Sequence, residues 1–333
     1  MELQRPDPLA WLLALVLALL LGYSPEAPAR SVTAPALDLQ GYADPHGAIT
    51  VVRDGDRVDP YFALQALLLA RDHGLAVEPW QARWIDWWRR QPTGVLARYC
   101  RAPLQAGGWR PCQRADADDA TLALAVRLLR GVPAPEREAL QADRLQHEAE
   151  RALRALQDPV TGLYHVATDL PQHLLMDNLE VWSTWPQRSL AQAIDRHFRL
   201  PGPSVSDPSG APRYRVSTQR GHREQPGRFY PEAAAQIYPL LMGFEPLPQA
   251  PAALYVEWMR EHRSRWLAEA AHDFPWGQIA WLAWQQGDPD TVRCWQQRTA
   301  ALRHGPRWSV TDEVVAQLLP PLQDPPPTLK DCQ

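Results

Sequence analysis

The sequence lacks the short motifs that mark several common classes of enzyme and binding protein. It has no glycine-rich phosphate loop, no nucleophile elbow, no C-x-x-C pair and no paired-histidine spacing, so we expect no required cofactor and no metal ion. The formal net charge is only -4, and acidic and basic residues are mixed along the chain. A nucleic-acid-binding protein would show a basic stripe, so we expect no nucleic-acid partner.

Phenylalanine is scarce, with 5 residues, whereas tryptophan and proline are abundant, with 15 and 34. Tryptophan packs hydrophobic cores, and its flat face also stacks on the apolar C–H face of a pyranose ring. Composition alone leaves both uses open. With 333 residues, 45% of them hydrophobic, the chain is long enough to bury a sizeable core.

Residues 9–23 form the long hydrophobic run of the sequence, and small residues at positions 27 and 29 follow it. A run of about 15 residues suits a signal peptide and is short for a membrane-spanning helix. We expect residues 1–29 to be a cleaved signal peptide or, as the alternative, an uncleaved anchor to the inner membrane. Both predict a periplasmic or secreted protein.

Four cysteines fit an oxidising compartment. Cys100 and Cys112 bracket a short loop with proline and glycine, and we predict that a disulfide closes it. Whether Cys294 and Cys332 also pair stays open at this level. Around the central segment, residues 30–43 are expected to be a linker, and residues 320–333 are too rich in proline to fold.

Residues 44–319 are predicted to form one all-α domain. Apolar residues recur at helical spacing in about eleven segments with short connections, and apolar helices alternate with charged ones. Asp59 is expected to cap the first helix, with Pro60 at its first position. Such alternation suits a double ring of helical hairpins, an (α/α)6 toroid with a few short β segments in loops. The predicted helices are 60–73, 79–90, 117–130, 136–156, 174–185, 189–198, 231–242, 252–270, 276–286, 291–302 and 311–318, and the β-prone segments are 48–53, 161–168 and 213–218.

One group of acids precedes or opens the helix predicted at 117–130. Asp116, Asp118 and Asp119 exceed what helix capping requires, and like charges this close raise at least one pKa. Acid/base catalysis uses such groups. Capping and solvation by water are the alternative explanation.

A second pair of acids, Asp177 and Glu180, is spaced i, i+3 on one helix face among apolar neighbours. We predict a functional role for both. Candidate substrate-binding residues lie beside these acids or at other helix starts, where loops of a hairpin ring converge. They are Tyr61, Asp116, Asn178, Trp182, Tyr230, Glu232 and Gln236.

Several segments resemble the six-hairpin glycosidase superfamily, namely residues 59–74, 161–182 and 227–244, and residues 274–288 have the small-residue style of its inner helices. The sequence ADADDATLALA at 115–125 is also similar to the Asp-rich helix start of glycoside hydrolase family 8, where such acids face the substrate. The general-acid glutamate motif of that family is not recognisable here. The resemblance implies the toroid fold and a polysaccharide substrate.

Residues 116–119 also spell D-x-D-D, the acid motif of class II terpene cyclases, which protonate an alkene or epoxide on α/α barrels. The export signal, the short chain and the lack of Gln/Trp repeats argue against that family.

The leading hypothesis is therefore an exported, monomeric glycoside hydrolase, or less favoured a polysaccharide lyase. One carboxyl group would protonate the leaving oxygen, and the other would activate water or attack directly. Asp177 or Glu180 is expected in one role, and Asp118 or Asp119 in the other. The alternative is a non-catalytic accessory protein that binds a glycan or a secretion partner.

Overall fold

The structure is a computed structural model that describes residues 34–91, 97–102, 108–200, 213–223, 225, 227–322 and 332. The predicted signal or anchor at 1–29 and most of the proline-rich tail lie outside these residues. Within them, no helix is long and apolar enough to cross a membrane. Contacts place Pro35–Gln333 in one compact unit. Leu39 and Tyr42, from the predicted linker, are buried in its core.

The described part of the chain is mostly helical, as the sequence predicts. Asp59 caps the first helix, because its side chain accepts a hydrogen bond from the Tyr61 backbone N–H at 3.1 Å. The single helix predicted at 136–156 is wrong: Gln141 has a left-handed backbone (φ 53°), which an α-helix does not accommodate, and two helices flank it. The helices are α1 (Pro60–Asp72), α2 (Glu78–Arg89), α3 (Asp118–Arg130), α4 (Ala134–Arg137), α5 (Ala142–Ala155), α6 (Leu175–Thr184), α7 (Arg188–Phe198), α8 (Ala234–Leu241), α9 (Pro251–Glu269), α10 (Gly277–Gln285), α11 (Pro289–Thr299) and α12 (Val310–Leu318).

Six helices contact one another in a closed cycle. Helix α1 packs on α3, α3 on α6, α6 on α8, α8 on α10, α10 on α12, and α12 on α1. We call these six the central helices. Helices α5, α7, α9 and α11 each pack against the central helix that precedes them in the chain.

Burial separates the two kinds of helix. In α6, every residue except Ser183 is buried, so this central helix is covered on all sides. In α5, the buried residues recur every three or four positions and form a single apolar stripe, the pattern of a helix with one face in water. The alternation of apolar and charged helices in the sequence therefore reflects their positions in the fold.

The strands β1 (Arg57–Val58), β2 (Ala97–Arg101) and β3 (Trp109–Arg114) form a small antiparallel sheet. In the chain, β1 precedes α1, and β2 and β3 lie between α2 and α3. The predicted disulfide Cys100–Cys112 is confirmed, with an S–S distance of 2.01 Å, and it joins β2 to β3. Neither β2 nor β3 was predicted from the sequence. The predicted β-prone segments 48–53, 161–168 and 213–218 contribute only isolated bridges.

A second disulfide links Cys294 in α11 to Cys332, with an S–S distance of 2.07 Å. This bond answers the question that the sequence left open. It fastens a residue of the proline-rich tail to the helical domain.

Removing the Cys294–Cys332 bond should destabilise the protein more than removing Cys100–Cys112, because it closes a loop of 38 rather than 12 residues. Loop-closure entropy corresponds to about 4 kcal/mol for the longer loop and about 3 kcal/mol for the shorter. Urea unfolding of the two double alanine variants would measure the difference. Equal losses, or a larger loss for the shorter loop, would contradict this account.

Candidate active site

The six central helices all contribute to one cavity of about 280 Å³. Its lining comes mainly from their first turns or from the residues just before them, including Asp116 before α3, Asp177 in α6, Tyr230 before α8 and Trp276 before α10. Helix N-termini carry partial positive charge from unpaired backbone N–H groups. Their convergence favours negative charge in this cavity.

Glu180 is buried at the base of this region and holds two tyrosines. Its Oε1 accepts hydrogen bonds from the hydroxyls of Tyr61 at 2.6 Å and Tyr238 at 2.5 Å. Gln65 in turn donates to the Tyr61 hydroxyl at 3.1 Å. Burial, with a contribution from the charge of Asp177, raises the pKa of Glu180 from 4.5 to about 8, although the two hydroxyls act in the opposite direction.

Asp177 lies one helical turn before Glu180 and lines the cavity. It is only 9% exposed, and its Oδ2 has no hydrogen-bond partner within the described residues. Burial, together with the negative charge of Asp116, raises the pKa of Asp177 to about 7. The pKa of this cavity-lining carboxyl group therefore lies near neutral pH, well above that of an exposed aspartate.

Asp119, in the first turn of α3, is fully buried, and neither of its carboxyl oxygens has a hydrogen-bond partner among the described residues. Burial and the charges of Asp177 and Glu180 hold its pKa well above the ordinary value. We call Asp119, Asp177 and Glu180 the buried acid cluster. Asp119 does not line the cavity.

A network of exposed and buried charges lies at the rim of the cavity. Arg98, on β2, contacts Asp116 at 3.3 Å and Asp59 at 2.6 Å. The Asp116 side chain is 72% exposed and therefore hydrated. Asp116 was expected near a helix cap, but the structure places Ala117 at the N-cap of α3, so Asp116 is free to face the cavity.

Aromatic rings form one wall of the cavity. Tyr230 and Trp276 lie with ring centroids 5.2 Å apart, and Phe62 contacts Phe274 at 5.5 Å and Tyr61 at 5.8 Å. All five residues line the cavity, and we call them the aromatic wall.

Most of the other described tryptophans serve the core. In α2, Trp84, Trp87 and Trp88 are buried, and Trp80 donates its ring N–H to the Leu37 carbonyl at 2.8 Å. Trp276 is the tryptophan among the cavity-lining residues. Core packing therefore accounts for most of the described tryptophans, and Trp276 lines the cavity.

Two predicted acids lie away from the cavity lining. Asp118, expected as a catalytic residue, forms an ion pair with Arg114 at 3.3 Å instead. Glu232, expected to bind substrate, accepts a hydrogen bond from the Gln225 backbone N–H at 3.1 Å. The placement of Asp118 corrects the catalytic prediction, since neighbours along a helix point about 100° apart and only Asp119 turns inward.

Three predicted substrate-binding residues have structural contacts that account for their side chains. The Asn178 amide pairs with the backbone N–H and carbonyl of Tyr164 at 2.8 and 3.1 Å. The Gln236 amide pairs in the same way with Tyr214, at 2.9 Å for both bonds. Trp182 is buried, and none of the three lines the cavity.

Asp312 and Asp273 line the cavity and were missed by the sequence analysis. Asp312 accepts hydrogen bonds from the Gly277 N–H at 2.7 Å and the Ser309 hydroxyl at 2.5 Å, so it fastens α10 to α12. Burial raises the pKa of Asp312 to about 6. The S-x-x-D capping box from Ser309 to Asp312 was the available signal.

No protein-family model matches the chain, and no curated protein or solved structure matches it. The contacts of the cavity are therefore the basis for assigning a function. They combine a carboxyl group protonated near neutral pH, a hydrated carboxylate at the rim and an aromatic wall.

The buried acid cluster should make the protein less stable as pH rises. Between pH 4.5 and about 8, folded Glu180 keeps a proton that the unfolded chain releases, so the free energy of unfolding falls with pH. The slope is at most roughly 1.4 kcal/mol per pH unit for one group. Glu180→Gln keeps a neutral group there, so it should flatten the dependence and gain stability relative to the wild type at pH 8.

Chemical denaturation at a series of pH values would measure this difference. Glu148→Gln is the matched control, because Glu148 is an exposed glutamate that pairs with Arg144 on α5. That variant should retain the wild-type slope. An unchanged slope in Glu180→Gln would show that Glu180 is charged in the folded protein at neutral pH.

Proposed function

We propose that this chain is an exported glycoside hydrolase on an (α/α)6 toroid. The closed cycle of six central helices, with further helices packed outside four of them, supports the toroid. In such a ring the N-terminal ends of the central helices surround one cleft, and the cavity has that lining. Two disulfides agree with an oxidising compartment and with the predicted export signal.

The observation that carries the proposal is the state of Asp177. Asp177 lines the cavity, one of its carboxyl oxygens is buried without a hydrogen-bond partner among the described residues, and its pKa is raised to about 7. A general acid needs a pKa near the working pH and room to reach the leaving oxygen. We assign Asp177 as the proton donor to the glycosidic oxygen.

Asp116 is the second carboxyl group of the proposal, in place of the expected Asp118 or Asp119. It lines the cavity, and it is near enough to Asp177 for its negative charge to raise the pKa of that residue. Two carboxyl groups in different environments, one buried and one hydrated, are the usual pair for glycoside hydrolysis. Asp116 then activates water or attacks the anomeric carbon.

The aromatic wall supplies the binding surface for the sugar. Trp276 and Tyr230 offer ring faces for stacking on a pyranose. Gln65, Gln278 and Thr311 also line the cavity and offer hydrogen bonds to hydroxyl groups. This mixture favours a neutral or weakly charged polysaccharide over a small charged metabolite.

Asp177→Asn should reduce the release of new reducing ends from the cleaved polysaccharide by about 10²- to 10⁴-fold, because the amide has no proton to donate at this pH. A panel of polysaccharides with the purified exported domain identifies the substrate. Asp118→Asn is the control: it removes a neighbouring acid that does not line the cavity, and activity should stay within a few-fold of wild type. Asp116→Asn should lose activity as Asp177→Asn does.

Wild-type activity in Asp177→Asn would contradict the assignment of the proton donor. Glycan binding by the wild type with no new reducing ends would favour the accessory function instead.

Trp276→Ala, made in the inactive Asp177→Asn protein, should weaken oligosaccharide binding by about fivefold, because one stacking surface contributes on the order of 1 kcal/mol. Isothermal titration calorimetry measures the change. Trp284→Ala is the matched control, since Trp284 lies in α10, the helix that follows Trp276, is 41% exposed and does not line the cavity. Equal affinities in both variants would place the sugar elsewhere.

A further inference from the structure

A second cluster of polar side chains lies outside the active-site cavity. Asp158 follows α5, His165 lies in the connection to α6, and His173 immediately precedes the cap of α6. One side-chain donor atom from each lies within 4.8 Å of the other two. None of these residues lines the cavity of the proposed function, and the inference below does not depend on that function.

The His173 ring is only 6% exposed, and its two nitrogens have different surroundings. Nδ1 lies 2.9 Å from the Thr218 hydroxyl, whereas Nε2 has no hydrogen-bond partner in the described chain. Nε2 instead faces Asp158 Oδ2 at 3.5 Å, which is too long for a good hydrogen bond. With Nδ1–H donating to Thr218, a nitrogen lone pair and a carboxylate oxygen face each other, and a cation between them would satisfy both.

His165 adds a third donor. Its ring stacks on the His173 ring, with centroids 4.6 Å apart and planes 18° apart. Its Nδ1 is buried and has no hydrogen-bond partner in the described chain. Two histidine nitrogens near one carboxylate oxygen therefore lack the hydrogen-bond partners that buried polar atoms normally have.

The Asp158 carboxylate is held in place by its neighbours. Oδ1 accepts a hydrogen bond from the Val160 backbone N–H at 2.9 Å, and Oδ2 accepts one from the Thr161 hydroxyl at 2.7 Å. Metal-binding carboxylates and histidines are commonly oriented by such outer contacts. Thr161 and Thr218 supply them here.

We propose that Asp158, His165 and His173 bind a divalent transition-metal ion of the zinc type through Asp158 Oδ2, His165 Nδ1 and His173 Nε2. Two imidazoles and a carboxylate form a donor set that zinc accepts. Bond lengths of about 2.0–2.2 Å place tetrahedral ligands roughly 3.3 Å apart, so the donor atoms draw together on binding. The sequence analysis expects no metal ion, because positions 158, 165 and 173 match no regular metal motif.

A fourth coordination position is available on the solvent side. A separate cavity of about 500 Å³ adjoins the site and is lined by residues that include His173, His197 and Thr218. A water molecule entering from it would complete the tetrahedron. The ion would join the segment after α5 to the start of α6, four residues before Asp177.

Zinc titration of the chelator-treated, full-length exported protein tests the proposal. Competition with a chromophoric chelator should give one equivalent of bound zinc, and Co²⁺ should give the visible absorption of a tetrahedral site. His173→Ala and His165→Ala should each weaken zinc binding by at least tenfold, and Thr218→Val by about 10- to 100-fold. His262→Asn is the control, because it replaces a buried histidine outside the cluster, and its affinity should equal that of the wild type.

Circular dichroism of each variant shows whether it is folded. If His173→Ala fails to fold, His165→Asn and Thr218→Val decide the question. Absence of stoichiometric zinc binding by the folded wild type would overturn the proposal. So would folded His165 and Thr218 variants that bind zinc within twofold of the wild type.

Discussion

The burial of three carboxyl groups against one another is the constraint on which the candidate site depends. Asp119, Asp177 and Glu180 have lost most contact with water, and each pKa is raised by that burial. Ionising all three would place like charges side by side in a medium that screens them poorly. The cluster therefore keeps protons at a pH where exposed acids have lost theirs. Replacing such buried acids with apolar residues would increase the free energy of unfolding, so stability alone does not explain their presence.

The arrangement of helices makes this burial tolerable. Asp119 and Asp177 lie in the first turns of α3 and α6, two central helices in direct contact, where backbone N–H groups and the helix dipole favour negative charge. Tyr61 and Tyr238 bring two hydroxyls to Glu180 from α1 and α8. Four neighbouring central helices thus contribute to one proton-holding cluster, and a shift of α1 or α8 would remove a hydroxyl partner from Glu180.

The sequence predicted the helical class, the cap at Asp59 and the Cys100–Cys112 bond, because each depends on residues close together in the chain. It could not divide the roles within residues 116–119. Helix α3 begins at Asp118, with uncapped Ala117 before it, and a shift of one residue at a helix start turns every side chain by about 100°. The exact start of the helix therefore determines that Asp116 lies at the rim, Asp118 pairs with Arg114 and Asp119 is buried. The hydrogen bonds between the Asn178 and Gln236 side chains and the backbone could not be predicted from the sequence either, since their backbone partners come from segments 14 and 22 residues away.

Asp177 and Glu180 show why neighbouring acids on one helix face need not share a role. Both are buried, yet Glu180 uses Oε1 to hold two tyrosine hydroxyls and does not line the cavity, whereas Asp177 is one of the residues that line it. A group that donates a proton to a substrate must be accessible to it, so the cavity contact selects Asp177. Glu180 therefore supports the site indirectly. It positions Tyr61 in the aromatic wall, and its negative charge, when present, favours the protonated form of the neighbouring Asp119. The i, i+3 spacing that draws attention to the pair in the sequence therefore combines one residue for chemistry with one for support.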